Sequence, residues 1–192
     1  MKIVCIGDSL TYGFGVKRSK TWINLAKNKL DMEIINEGVN GDTSGGMVAR
    51  FNNEVIVQKP DVVFIMGGSN DLIAGADLGV VKANIMAMAH QALGKLIAPI
   101  IGIAPKMDLE NISEEWASFT DFNKISIEQD KYSLWIKRFC KTFNIGYIDF
   151  YSEIDKFIQS NNEKIHIDGL HLNEKGQEIM AEVFCNAINN FK

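Results

Sequence analysis

Proline and cysteine are both scarce, at three residues each in 192. No proline- or glycine-rich linker, internal repeat or low-complexity segment divides the chain, so one domain spanning residues 1–192 is expected. Cys5, Cys140 and Cys185 are odd in number, widely spaced and outside any CxxC or Cys/His pattern, which argues against a disulfide framework or a zinc site. They read as reduced, buried thiols, and Cys5 sits inside an apolar strand pattern despite lying four residues before Ser9. Positive charge is not in excess either. Lys and Arg number 20 against 24 Asp and Glu, and a net charge of −4 leaves no basic footprint for nucleic acid or an anionic membrane. No apolar run approaches a membrane span, and Met1–Gly7 is too short for a signal peptide and lacks a small-residue cleavage site. A cytoplasmic protein is therefore expected. With 46% hydrophobic and 23% charged residues, the chain has the balance of a globular domain able to bury a core without disulfides or metals.

Short apolar runs alternate with longer amphipathic stretches. The runs are Lys2–Ile6, Glu33–Asn36, Val62–Met66, Ile97–Ile103 and Ile145–Phe150. Helical periodicity follows near residues 20–30, 44–57, 79–95, 130–143 and 174–190. Strand then helix, five times over, predicts an α/β protein: a parallel sheet with helices on both faces, a three-layer α/β/α sandwich. Residues 105–128 break the rhythm as an unusually long connection carrying Met107, Trp116, Phe119 and Phe122. The segment is either a cap over a site or extra packing.

The chemistry-bearing residues fall where strands end. The first run leads into Gly7-Asp8-Ser9-Leu10, the second into Asn36 through Thr43, the third into Gly67-Gly68-Ser69-Asn70-Asp71. With strand order 2-1-3-4-5, these turns converge on the crevice at the carboxyl ends of the strands. Acyl transfer needs a hydroxyl, a base, a group that orients the base, and donors for an oxyanion. Ser9 supplies the hydroxyl. His171 is the candidate base, and Asp168, three residues earlier, can reach back to its Nδ1. The Ser9 and Gly41 backbone N–H groups and the Asn70 amide are candidate oxyanion donors. Each also has a plainer reading: Ser9 as a capping or phosphate-cradling serine, Gly41 as a turn glycine, Asn70 as a loop residue bonding its own backbone. Asp8 and Asp71 read as structural. His166 is the rival base but lacks the Asp-x-x-His spacing, and His90 lies in a helical stripe. No histidine pair has metal-ligand spacing with a carboxylate, so neither a metal nor a cofactor is expected. Phe14, Trp22, Leu72, Ile73, Trp116 and Leu172 are candidates for a substrate pocket.

Gly7-Asp8-Ser9-Leu10 resembles block I of the GDSL/SGNH hydrolase family. Gly41 within Asn-x-Gly-x-x-Gly resembles block II, Gly68-Ser69-Asn70-Asp71 block III, and Asp168-x-x-His171 block V. One tetrapeptide is a weak signal, whereas four in family order are strong. The resemblance implies a flavodoxin-like α/β/α fold with a five-stranded sheet and metal-free hydrolysis of esters or thioesters, here by the Ser-His-Asp triad through an acyl-enzyme. Without a hydrophobic lid of obvious size, short- to medium-chain esters are expected. The partner is then a small-molecule acyl ester. Carbohydrate O-acetylesterase, thioesterase and lysophospholipase activities would use the same residues. A flavodoxin-like binding module, with Ser9, Thr11 and Gly13 cradling a phosphate, is the non-enzymatic alternative. It leaves the Asp168/His171 pair without a use.

Overall fold

A computed structural model describes residues 1–161 and 163–191. The apolar runs form strands β1 (Lys2–Gly7), β2 (Glu33–Gly38), β3 (Val62–Met66), β4 (Ala98–Ile103) and β5 (Gly146–Asp149). All neighbours pair in parallel in the order β2-β1-β3-β4-β5, as expected. The connecting helices are α1 (Ser9–Tyr12), α2 (Trp22–Leu30), α3 (Ser44–Phe51), α4 (Ser69–Ile73) and α5 (Leu78–Leu93), then α6 (Glu114–Phe119), α7 (Phe122–Phe143), α8 (Phe150–Asn161) and α9 (Glu174–Asn190).

A parallel sheet must be covered on both faces, and the side-chain alternation of β1 serves both. Val4 and Ile6 join one core with residues of α3, α5 and α7. Ile3 and Cys5 join the other with residues of α2, α8 and α9. The second core is built on aromatic packing: Trp22 lies 5.6 Å from Phe64 and 5.0 Å from Phe184 between ring centroids. The three cysteines are buried free thiols. Among the described residues, no helix is long and apolar enough to cross a membrane.

The differences from the sequence reading are local. Residues 105–128 are not one long loop. They hold a 3₁₀ turn at Leu109–Asn111, helix α6 and the first turns of α7. Asp121 caps α7 by accepting the Asn123 N–H at 3.1 Å, which turns Phe122 and Ile125 into the core. The fifth strand stops at Asp149 because α8 begins at once with Phe150. Helix α3 ends at Phe51 and continues as a π-helical turn, Asn52–Ile56. Since β1 leads first to β2 and later to β3 on its other side, the crevice between the ends of β1 and β3 is the place where ligands bind in such sheets.

Candidate active site

At the end of β1 the chain turns directly into α1. The Asp8 carboxylate caps that helix, accepting the Leu10 N–H at 2.9 Å. Ser9 is the first residue of α1, so its N–H has no acceptor within the helix. Burial pushes the Asp8 carboxyl up to about 7, and the nearby Asp42 and Asp71 carboxylates add to this.

The other half of the site arrives 162 residues later. Residues 165–173 fold back on themselves, with Ile167 N–H donating to His171 O at 2.8 Å and Asn173 N–H to Ile165 O at 2.9 Å. Asn173 then caps α9 by accepting the Gly176 N–H at 3.1 Å. Within this loop Gly169 adopts φ +86°, a left-handed conformation that suits glycine. The turn brings both the Leu170 and His171 N–H groups onto Asp168 Oδ1, at 3.0 and 2.8 Å. Asp168 Oδ2 lies 2.7 Å from His171 Nδ1 and accepts the Trp116 indole N–H at 3.3 Å. His171 Nε2 lies 2.9 Å from Ser9 Oγ. Burial raises the Asp168 carboxyl, but the His171 and Leu170 donors outweigh it and hold the group below the usual carboxylate range. Ser9 and His171 are both buried, and the Phe14 ring lies 4.6 Å from the imidazole between centroids.

Gly41 and Asn70 line the same cavity as Ser9 and His171. Gly41 sits at φ +76°, and a Cβ built there would meet nothing within 4 Å. Its backbone conformation, rather than crowding, is what favours glycine. Asn70 Nδ2 donates to Asp42 O at 2.8 Å and so ties the β2–α3 loop to α4. An amide nitrogen carries two hydrogens, which leaves one for a ligand. Asp71 braces the same region, accepting the Ser44 N–H at 2.8 Å and the Ser44 hydroxyl at 2.5 Å.

The cavity has a volume of about 190 Å³. Its apolar wall comes from Ile73, Pro105, Met107, Trp116 and Leu170, while Phe14 stands near His171. Of the sequence candidates for this wall, Phe14, Ile73 and Trp116 line it. Leu72, Leu172 and Trp22 do not. Leu72 turns from α4 into the first core, and Leu172 is fully buried in the second. Trp22 is also buried, its indole N–H donating to Leu10 O at 2.9 Å. His166 is buried beside Lys106 O, 3.0 Å from its Nε2, and does not line the cavity. His90 is on the outer side of α5, its ring 5.0 Å from that of Phe143.

Sequence reasoning missed two contributors. Gln129 lines the cavity, donates to Pro105 O at 2.9 Å, and leaves its Oε1 unpartnered among the described residues. Arg50 sits under the crevice and joins the ends of two strands. It donates to Gly7 O at 2.9 Å and Glu37 O at 2.8 Å and pairs with Asp42 at 2.7 Å and with Glu54. A lone arginine that joins two carbonyls and two carboxylates from separate segments leaves no motif. Only its spacing to Glu54, four residues on, could have flagged it.

The family described as GDSL-like lipase/acylhydrolase matches residues 5–179. Esterase TesA of Pseudomonas aeruginosa is 30% identical over 95 residues, which are 47% of this chain and 47% of that protein. The match therefore spans about half the length of that relative. The acetylxylan esterase of Geobacillus stearothermophilus is 24% identical over 168 residues, 83% of this chain and 74% of that one. The crystal structure of the lipase/acylhydrolase from Enterococcus faecalis superimposes with a TM-score of 0.80 at 26% identity, covering 99% of this chain and 96% of that chain.

Proposed function

The chain belongs to the GDSL-like lipase/acylhydrolase family, and on that footing we propose that it hydrolyses carboxylic esters with short acyl chains, with Ser9 as nucleophile, His171 as base and Asp168 as the group that orients the base. The observation that carries this reading is the continuous row from Ser9 Oγ to His171 Nε2 at 2.9 Å and from His171 Nδ1 to Asp168 at 2.7 Å. Ser9 Oγ attacks the ester carbonyl while His171 takes its proton. The carboxylate on the Nδ1 side favours the tautomer whose Nε2 is free to accept, and it stabilises the imidazolium that forms. The oxyanion rests on the Ser9 N–H, the Gly41 N–H and the free Asn70 amide hydrogen, each such donor being worth about 3 kcal/mol. His171 returns its proton to the departing alcohol, and water then cleaves the acyl-enzyme by the same route in reverse.

The cavity beside Ser9 supports a small acyl group. Its volume is about 190 Å³, and Ile73, Pro105, Met107, Trp116 and Leu170 give it an apolar wall. The test is turnover of p-nitrophenyl esters from acetate to laurate by wild type and Ser9→Ala. The expected result is activity that is highest for the shortest esters and lost in the variant. Equal turnover by both proteins would refute the assignment of Ser9.

A further inference from the structure

The Asp168 carboxylate makes four contacts, and three of them come from its own loop. Oδ1 accepts the Leu170 and His171 N–H groups, and Oδ2 faces His171 Nδ1. These contacts fix the carboxylate and the imidazole relative to each other. They do not tie the pair to any other part of the fold. Among the described residues, the Trp116 indole N–H is the one donor that reaches this carboxylate from outside residues 165–173. It stands 52 positions earlier in the chain and meets Oδ2, the oxygen that faces the imidazole, at 3.3 Å. Trp116 is itself held. Its half-buried ring packs against the first core. Its helix, α6, starts just after Ser113, whose N–H donates to Asp168 O at 3.1 Å. The acyl-transfer steps leave the indole N–H without a role.

We propose that Trp116 is a positioning residue that acts through Asp168, its indole N–H holding the carboxylate where it keeps His171 Nε2 on Ser9 Oγ. The proposal rests on the acyl-transfer reading. Without Trp116, Oδ2 would be engaged only by the ring it has to orient. A second donor on that oxygen, anchored in the first core, removes this freedom. A bond to an ionised carboxylate is stronger than one between neutral groups, so one such contact can do so. The same ring lines the cavity that holds Ser9. Its face and its N–H therefore have separate effects, and a test must part them.

The experiment measures kcat and KM for p-nitrophenyl acetate in wild type, Trp116→Phe and Trp116→benzothienylalanine. The benzothienyl ring keeps the shape of indole and carries sulfur in place of the N–H, whereas phenylalanine also leaves a gap in the wall. Both variants should lose about five- to thirtyfold in kcat, with KM in the benzothienyl variant within about twofold of wild type. In an Asp168→Ala background, where the acceptor is gone, the benzothienyl substitution should change kcat by less than about twofold. Thermal unfolding checks that each variant folds. Unchanged kcat in the benzothienyl variant, or an equal loss with and without the Asp168 carboxylate, overturns the positioning role while leaving a Ser9-dependent esterase intact. If Ser9→Ala hydrolyses the ester as wild type does, the acyl-transfer reading fails and the role of Trp116 goes with it.

Discussion

An alanine at Gly169 meets two separate obstacles. The first is conformational: φ is +86°, where an L-residue is strained by roughly 1–2 kcal/mol. The second is contact. The new Cβ would lie 2.7 Å from Ile112 Cα and 2.8 Å from Ile112 N, against about 3.5–4.0 Å for an ordinary carbon contact. Backbone atoms cannot swing aside, so the segment before α6 must recede by about 1 Å. That segment is bonded to the loop it would be pushed from: Ser113 N–H donates to Asp168 O at 3.1 Å, and Asp108 N–H to Gly169 O at 2.9 Å. Overpacking of this kind adds about 1–3 kcal/mol, giving a total of roughly 2–5 kcal/mol. For a chain of this size the melting temperature should drop by about 4–20 °C. A displacement of about 1 Å in an orienting group costs on the order of a hundredfold in rate, so kcat/KM for p-nitrophenyl acetate should fall by about that factor. Gly75 is the matched control. Its φ is +84°, but an added Cβ meets nothing within 4 Å. Gly75→Ala should show the conformational cost alone, about 2–8 °C, with activity near wild type. Equal losses of stability and of activity in the two variants would refute the claim that contact with Ile112 sets the position of Asp168.

Four further outcomes follow from the same geometry. Asp168→Asn keeps an acceptor for the backbone donors but loses the charge facing His171, so kcat should fall by about 10⁴-fold under p-nitrophenyl ester assay. Because the Asp168 carboxyl is held below its ordinary value, it stabilises the fold above the unfolded carboxylate range and loses that contribution as pH falls through its folded value. Thermal melts should therefore separate wild type from Asp168→Asn at pH 6 and converge in acid. Asp8 runs the other way. Its buried carboxyl ionises only near 7, chiefly through burial, so the native state binds a proton that the unfolded chain has already released above about pH 4. Stability should decline between those values as pH rises, and the melting temperature of Asp8→Asn relative to wild type should rise from pH 5 to pH 8. Arg50→Met leaves the partly buried Asp42 without its cation and frees the Gly7 and Glu37 carbonyls. A loss of about 3–5 kcal/mol in urea unfolding is expected, and a loss under 1 kcal/mol would contradict the bracing role.

The sheet was legible because its strands are buried on both faces and so appear as unbroken apolar runs, of which Val62–Met66 is the plainest. The Ser9, Asp168 and His171 row was legible because Asp-x-x-His fits within one turn, and Gly-Asp-Ser stands at a strand end. What failed to show depends on chain direction in space. Leu72 and Ile73 are neighbours on α4, yet only Ile73 reaches the cavity. The same holds for Leu170 on the wall and Leu172 in the core. Helix α8 carries its own signal in Phe150, Ile154, Phe157 and Ile158, but it follows β5 without a loop to separate the two patterns. Helix α6 has only six residues, too few for periodicity to stand out from the surrounding polar stretch.

The separation of Ser9 and His171 by 162 positions has a consequence for biosynthesis. The hydroxyl emerges from a ribosome well ahead of the imidazole, 162 residues earlier in the chain. The sheet face that α9 covers must pack before the two can meet, since α1 follows β1 directly and the His171 loop leads into α9. A nascent chain cut off before residue 171 thus carries the Ser9 hydroxyl without the imidazole that lies 2.9 Å from it in the folded protein. Recovery of covalent labelling at Ser9 during refolding would consequently clock the last long-range step of assembly rather than early collapse.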